Sequence, residues 1–273
     1  MAAATTGAER SEIGVLASGG LDSCILLSHL LERGYGVRPF YVRSGLVWQD
    51  EELRYLKRYL QRVGTERLRE LVLFDLPLRD LYDGHWSVSG DGVPDESTAD
   101  EAVFLPGRNL LLSVKAALWC QLHGIQQLCL ATLNSNPFAD ASDGFFDAYQ
   151  TALNCGVTTT SLSENRLGEG DSPRFASRTA QKGDSPRGSW KGSKIEILRP
   201  FAEMSKREVM QLGRNYPLND TFSCIAPINS LHCGHCNKCA ERKAAFAAAE
   251  MPDSTTYAAS SVAPHPSPLA PQP

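Results

Sequence analysis

Only three residues, Ser18-Gly19-Gly20, separate an apolar run, Ile13 to Ala17, from a segment, Leu21 to Arg33, whose apolar residues at 21, 25, 26, 27, 30 and 31 fit a largely buried helix closed by Gly34. A strand, a tight glycine turn and a helix follow one another with no slack, and the chain goes on in the same manner. Val37 to Val42 and Glu70 to Leu76 read as strands, and Asp50 to Val63 as a helix with Leu53, Leu56, Leu60 and Val63 on one face. Asn109 to Leu122 predicts a helix, Leu128 to Thr132 a strand and Gly144 to Leu153 a helix. Ile195 to Leu198 predicts a strand and Ser205 to Leu212 a helix capped by Ser205. Strands alternating with helices imply an α/β domain, doubly wound on a mostly parallel sheet.

The turn itself carries chemistry. In Ser18-Gly19-Gly20-Leu21-Asp22-Ser23 two glycines let the backbone approach an anion, and a helix N-terminus adds unsatisfied N–H groups and partial positive charge. The Ser18 and Ser23 hydroxyls add donors, so phosphate oxygens fit there. The Gly-Lys-Ser/Thr ending of a Walker A loop is missing, as is the G-x-G-x-x-G pattern. The plainer alternative is a glycine turn with a polar helix cap.

Composition narrows the partner. The 273 residues are 42% hydrophobic, which excludes collagen, coiled coil and a wholly disordered chain. A net charge of −4, from 27 Lys+Arg against 31 Asp+Glu, gives no drive toward nucleic acid or an anionic membrane, so a small molecule is the expected partner. No apolar stretch approaches the roughly 18 residues of a membrane span, and Met1 to Ser11 hold no apolar region of a signal peptide. A cytosolic protein is expected. Residues 1–11, the Ser-, Gly-, Arg- and Pro-rich stretch 163–193 with its twofold Gly-Asp-Ser-Pro-Arg, and the tail 251–273 read as disordered around and within a domain spanning 12–250.

Half of the eight cysteines crowd at Cys224, Cys233, Cys236 and Cys239, spaced C-x8-C-x2-C-x2-C. Short C-x2-C steps let thiolates converge on one ion, and the fourth closes a tetrahedral Zn2+ shell with no open position, a structural site at 224–239. The rival is a [4Fe-4S] cluster, whose ferredoxin pattern instead places its fourth cysteine three residues on, before proline. His232 and His235 read as bystanders. Cys24, Cys120, Cys129 and Cys155 read as small hydrophobes, Trp48, Trp86 and Trp119 as core aromatics, and His85 as a loop residue.

The segment Ser18 to Ser23 resembles the PP-loop of the ATP pyrophosphatases, which cleave ATP between the α and β phosphates to adenylate a substrate. Paired with the C-terminal cysteines it is similar to the 7-cyano-7-deazaguanine synthase family of the queuosine pathway. Phe104 to Asn109, Arg199-Pro200-Phe201 with Lys206 and Glu208, Thr221 to Cys224, and His232 to Cys239 with Arg242, Lys243 and Phe246 carry the likeness, over roughly residues 13 to 250. The resemblance implies an adenine nucleotide alpha hydrolase-like fold and an ATP-dependent ligase joining a deazapurine carboxylate to ammonia. It further implies ATP held at Leu16, Ala17, Ser18, Gly19, Gly20, Leu21, Asp22 and Ser23, with Mg2+ near Asp22, catalysis by Asp22, Ser23 and Arg108, and a homodimer. Related PP-loop chemistry on another carboxylate or a tRNA base, and a non-catalytic nucleotide-binding zinc protein, are the alternatives. Two segments differ from the family's usual pattern. Ser44 to Gln49 stands where Tyr-Gly-Gln-Arg-His is usual, and Asn134 to Asp140 where Ser-Gly-Tyr-Pro-Asp-Cys-Arg is usual, so Asn134, Asn136 and Asp140 are the expected substrate contacts.

Overall fold

The structure is a computed structural model and describes residues 10–133, 135–157 and 192–259. Its strands are β1 (Arg10–Leu16), β2 (Tyr35–Arg43), β3 (Val72–Asp75), β4 (Gln127–Cys129) and β5 (Glu196–Leu198). They form one all-parallel sheet in the order β3-β2-β1-β4-β5. The helices are α1 (Leu21–Glu32), α2 (Gln49–Val63), α3 (Trp86–Ser89), α4 (Arg108–Leu122), α5 (Asp143–Cys155), α6 (Lys206–Leu212) and α7 (Asn237–Ala248).

Both faces of the sheet are covered, as a buried parallel sheet requires. On one, Ile13, Val15 and Tyr41 pack with Leu26 and Leu27 of α1, Leu56 and Leu60 of α2, Val209 and Met210 of α6 and Phe246 of α7. On the other, Phe40 and Leu128 pack with Ala116, Ala117 and Cys120 of α4 and Phe146 and Leu153 of α5. α4 comes close to β1 because Gly14 has no side chain: a Cβ there would lie 2.8 Å from Phe40 and 3.0 Å from Cys120 Sγ. A third cluster joins Trp48, Tyr55 and Leu105 to the cysteine region.

Each expected element is present with shifted ends. β1 starts at Arg10, inside the stretch expected to be disordered, because Arg38 Nε binds the Glu12 carboxylate at 2.6 Å and lets a charged residue join the ladder. The expected strands 70–76 and 128–132 shorten to β3 and β4; past Cys129 only Leu130 N bonds on, to Leu198 O at 2.9 Å. The tail corrects the sequence reading over its first residues. Tyr257 bridges to His232, Ala258 N donates to His232 O at 2.8 Å, and Thr255 accepts from Arg242, so the backbone to residue 259 is ordered by buried polar groups that need partners. The remainder of the tail, residues 1–9, and the insertion apart from Gly192 and Ser193 lie outside the described residues; Ser193 N bonds Gln121 O at 3.0 Å. Cys24, Cys120 and Cys129 are buried as expected, whereas Cys155, at the end of α5, is exposed. His85 caps the short α3, its Nδ1 accepting from Ser87 N at 3.2 Å. No helix among the described residues is long and apolar enough to cross a membrane.

Candidate functional site

Strand order reverses at β1, from which the chain leaves toward α1 on one face while β4 leaves toward α5 on the other. That switch point opens a crevice at the carboxyl ends of the strands, where open α/β sheets take their ligands. Residues 17–23, 130–133 and 135–140 border it.

The loop after β1 is braced by its own serines. Ser18 N donates to Ser23 Oγ at 3.2 Å, Gly20 N to Ser18 Oγ at 3.3 Å, and the two hydroxyl oxygens are 3.1 Å apart. Gly19 has φ +82°, and a Cβ there would lie 3.0 Å from the carbonyl oxygen of Glu52 and 3.5 Å from its Cγ, so only glycine seats the loop against α2. Gly20 stands at the N-cap of α1 and brings no side-chain acceptor, which leaves the helix's first N–H groups without a side-chain cap. Leu16 is half-buried; Ala17 is buried, and its N–H goes to Phe40 O at 2.9 Å, so these two anchor the loop and offer no side-chain donor.

Asp22, in the first turn of α1, receives Lys206 Nζ at 2.8 Å on both carboxylate oxygens. Lys206 opens α6, whose N-terminus is fixed by a reciprocal cap between Ser205 and Glu208. Arg108 opens α4 after Gly107, its Nε buried with no hydrogen-bond partner and its guanidinium 6.0 Å from the Trp48 ring. Near it stand Glu52 and Tyr41. Desolvation of its carboxyl raises Glu52 to about 7, against the pull of Arg108 and of the bond from the Tyr41 hydroxyl at 2.9 Å.

Beyond β4, Thr132 Oγ1 is buried and unpartnered. Asn134 lies outside the described residues. Asn136 Oδ1 accepts from Phe138 N at 3.0 Å, and Asp140 accepts from Asn109 N at 3.1 Å at the start of α4. Both side chains therefore shape the loop and the α4 N-terminus as built. Sequence reading did not single out Glu52, Tyr41 or Thr132, since nothing in their spacing sets them apart, and it took Lys206 only as part of a likeness.

The four C-terminal cysteines converge. Their sulfurs lie within 4.8 Å of one another, with Cys224 to Cys236 and Cys233 to Cys239 each 3.9 Å apart. Four thiolates about 2.3 Å from one ion form a tetrahedron with edges of roughly 3.8 Å, so two of the edges already match and the set fits a metal ion with at most small side-chain shifts. Backbone N–H groups of Cys233 and Ala226 donate to Cys224 Sγ, and that of Cys236 to Cys233 Sγ, at 3.2 to 3.4 Å. His232 and His235 stand outside the set.

This centre is tied to the crevice. Phe222 N, two residues before Cys224, donates to Gly19 O at 2.7 Å. On the other side Asn237 N donates to Pro94 O and Glu96 N to His235 O, each at 3.0 Å, holding the start of the segment of turns and one short 3-10 helix that leads to Arg108. Behind it Arg242, 1% exposed, donates to Thr221 Oγ1, Ser223 Oγ, Leu218 O and Thr255 Oγ1.

The family model described as "Queuosine biosynthesis protein QueC" matches residues 12–250. The chain is 27% identical to a 7-cyano-7-deazaguanine synthase of Syntrophobacter fumaroxidans, covering 89% of this chain and 94% of that one. It is 28% identical to the synthase of Ralstonia pickettii, covering 89% and 97%. A solved structure, a predicted subunit of tRNA methyltransferase from Methanocaldococcus jannaschii, shows a looser likeness, with TM-score 0.41 and 11% identity over 74% of each chain.

Proposed function

The chain belongs to the queuosine biosynthesis protein QueC family, and from that premise we propose that it is an ATP-dependent carbon–nitrogen ligase converting 7-carboxy-7-deazaguanine and ammonia to 7-cyano-7-deazaguanine. The observation that carries the reading is the loop Ser18 to Ser23: an α1 N-terminus without a side-chain cap, at the switch point, beside the Asp22–Lys206 pair. The relatives' names supply the substrate class.

In this reading the backbone N–H groups of the first turn of α1, with the Ser18 and Ser23 hydroxyls that already sit on the loop's own N–H groups, hold the pyrophosphate portion of ATP, and Lys206 adds positive charge there. The substrate carboxylate attacks the α-phosphorus; the bond to the β-phosphate oxygen breaks and pyrophosphate leaves, giving an acyl adenylate. Ammonia displaces AMP to form the amide; a second ATP adenylates the amide oxygen with loss of pyrophosphate, and that oxygen then leaves with AMP as the nitrogen gives up its two protons, which yields the nitrile. Arg108, with a buried Nε free to donate, clamps a phosphate or the carboxylate. When bound, Mg2+ would be held by Asp22 and would supply charge neutralisation on the phosphate oxygens, and Zn2+ would be held by Cys224, Cys233, Cys236 and Cys239, where it would fix the segments that meet Gly19 and lead to Arg108.

A cytosolic homodimer with no nucleic-acid partner completes the reading. The net charge of −4 supports the last point, and the exposed leucines 110, 118 and 122 of α4 give a dimer an apolar face to bury. The deciding experiment incubates the purified protein with 7-carboxy-7-deazaguanine, ammonia and ATP and looks for the nitrile by mass spectrometry. The unusual segments 44–49 and 134–140 favour a second reading, the same adenylation on another carboxylate. ATP turnover stimulated by such a compound and not by the deazaguanine acid would select it.

A further inference from the structure

Glu52 occupies an uncomfortable place for a carboxylate. Its carbonyl oxygen and Cγ form the surface on which Gly19 rests, so its side chain stands directly behind the loop that faces the crevice. Its Oε2 is 2.9 Å from the Tyr41 hydroxyl oxygen, and that same hydroxyl is 3.1 Å from the carbonyl oxygen of Gln49. A hydroxyl has one hydrogen and faces two acceptors here. If Glu52 is protonated, it donates to Tyr41 and Tyr41 donates to Gln49, and every contact is a hydrogen bond. If it is ionised, the hydroxyl serves only one of the two.

The groups that face Glu52 do not neutralise it by contact. Arg108 of α4 is the cation whose charge acts on it, yet no ion pair joins them among the described residues. Cys24 of α1 and Tyr41 of β2 are buried groups whose own ionisation its charge opposes, and Asp50, on the same helix, adds negative charge toward Tyr41. Its neighbour Glu51 is engaged elsewhere, with Ser230 and Arg54.

We propose that Glu52 is a positioning residue whose neutral form makes the loop competent for polyphosphate: the protonated acid supports Gly19 without opposing the bound anion, and ionisation of Glu52 weakens nucleotide binding. The inference rests on the reading that Ser18 to Ser23 hold the phosphates of ATP. The proton involved is Glu52's own and is exchanged with solvent; no other group changes. Desolvation that raises the acid to about 7 puts this switch within the working range of the protein.

Two measurements on the full chain test it. In protein labelled with 13C at the glutamate carboxyl carbon, one resonance should titrate near neutrality, and Glu52→Gln should remove it. Calorimetric titration with Mg·ATP, and with pyrophosphate alone, is then run from about pH 6 to about pH 8. If only the neutral form binds, the wild-type affinity falls about tenfold across that range, as the competent fraction falls. Glu52→Gln, an isosteric neutral group, should flatten the profile relative to wild type, with its melting temperature confirming the fold. An identical fall in both proteins, or no near-neutral carboxyl titration, overturns the proposal and leaves the phosphate-loop reading standing. Absence of nucleotide and pyrophosphate binding at every pH in wild type removes both.

Discussion

Lys206 Nζ lies 2.8 Å from each carboxylate oxygen of Asp22, so the first turns of α1 and α6, 184 residues apart in sequence, are joined at the crevice. The two side chains are 22% and 25% exposed, and such a pair adds about 1 kcal/mol or less to stability. Its weight lies in position. Glu241 Oε1 is 3.9 Å from the same nitrogen, so in the proposed function, where Asp22 would turn toward a metal–nucleotide, Lys206 would keep a counterion at the site.

Lys206→Met is therefore expected to raise the KM for ATP more than about tenfold while moving the melting temperature by only a few degrees, because the lost charge serves the phosphates more than the fold. Pyrophosphate release against ATP concentration, with parallel thermal melts, reads both quantities. An unchanged KM would show that the lysine only ties two helices together. Asp22→Asn should act more on turnover, since it removes the carboxylate and leaves Lys206 in place.

Thiol chemistry should report the metal centre. Burial pushes the Cys24 thiol up, and raises Cys120 and Cys129 to about 12, so all three resist alkylation at neutral pH, while Cys155 is exposed. A disulfide reagent should find one fast thiol per chain, absent in Cys155→Ser. A strong chelator should add four more, from Cys224, Cys233, Cys236 and Cys239, and release about one zinc per chain from a colourless protein. A brown protein releasing iron would assign the site to a cluster instead.

Much of this was legible in the residues, and for a definite reason. A glycine turn between a strand and a helix is made by consecutive residues, and so are C-x2-C knuckles; both are local geometry that spacing records, as Ser18 to Ser23 and Cys233 to Cys239 do. The parallel sheet followed from strands that alternate with helices. What spacing does not record is long-range pairing. Lys206 meets Asp22, Phe222 meets Gly19 and Tyr41 meets Glu52 only after the sheet is assembled. The tail was misread over residues 252–259 because its Ala-, Ser- and Pro-rich composition resembles a linker, while its order comes from Thr255, whose hydroxyl accepts from a buried arginine, and Ala258, whose N–H donates to the carbonyl of the buried His232. Asp140, an expected substrate contact, accepts from Asn109 N at the N-terminus of α4, a pairing its sequence neighbourhood does not distinguish.

Glu52 also gives stability a pH dependence with a fixed sign. Its carboxyl titrates at about 7 in the folded chain against an ordinary 4.5, so the fold binds this proton more tightly than the unfolded chain does. The contribution is complete below the ordinary value and is lost as pH rises through the folded one. Between about pH 4.5 and about pH 7 the melting temperature of wild type should therefore fall relative to Glu52→Gln, and the difference should level off above that range. A difference that stays flat would mean Glu52 is ionised throughout.

The last prediction concerns Arg242. It is 1% exposed, and its Nε donates to Thr255 Oγ1 at 2.8 Å, an acceptor supplied by the segment after α7. Its other nitrogens already serve Thr221, Ser223 and Leu218, so nothing nearby replaces Thr255. A buried charged donor left without its acceptor costs about 1 to 3 kcal/mol or somewhat more, and Thr255→Val should show this in urea unfolding while Thr255→Ser, which keeps the oxygen, should not. Because Arg242 also holds Thr221 and Ser223, on either side of Phe222 and next to Cys224, the cost should reach the metal centre. Thr255→Val should thus lose its metal to chelator faster than wild type. Ending the chain after Met251 removes Thr255 together with the Tyr257 and Ala258 contacts to His232, and should have the larger effect on both measurements. Ending it after residue 259 keeps every one of those contacts, and unfolding and metal release should then match the full-length protein.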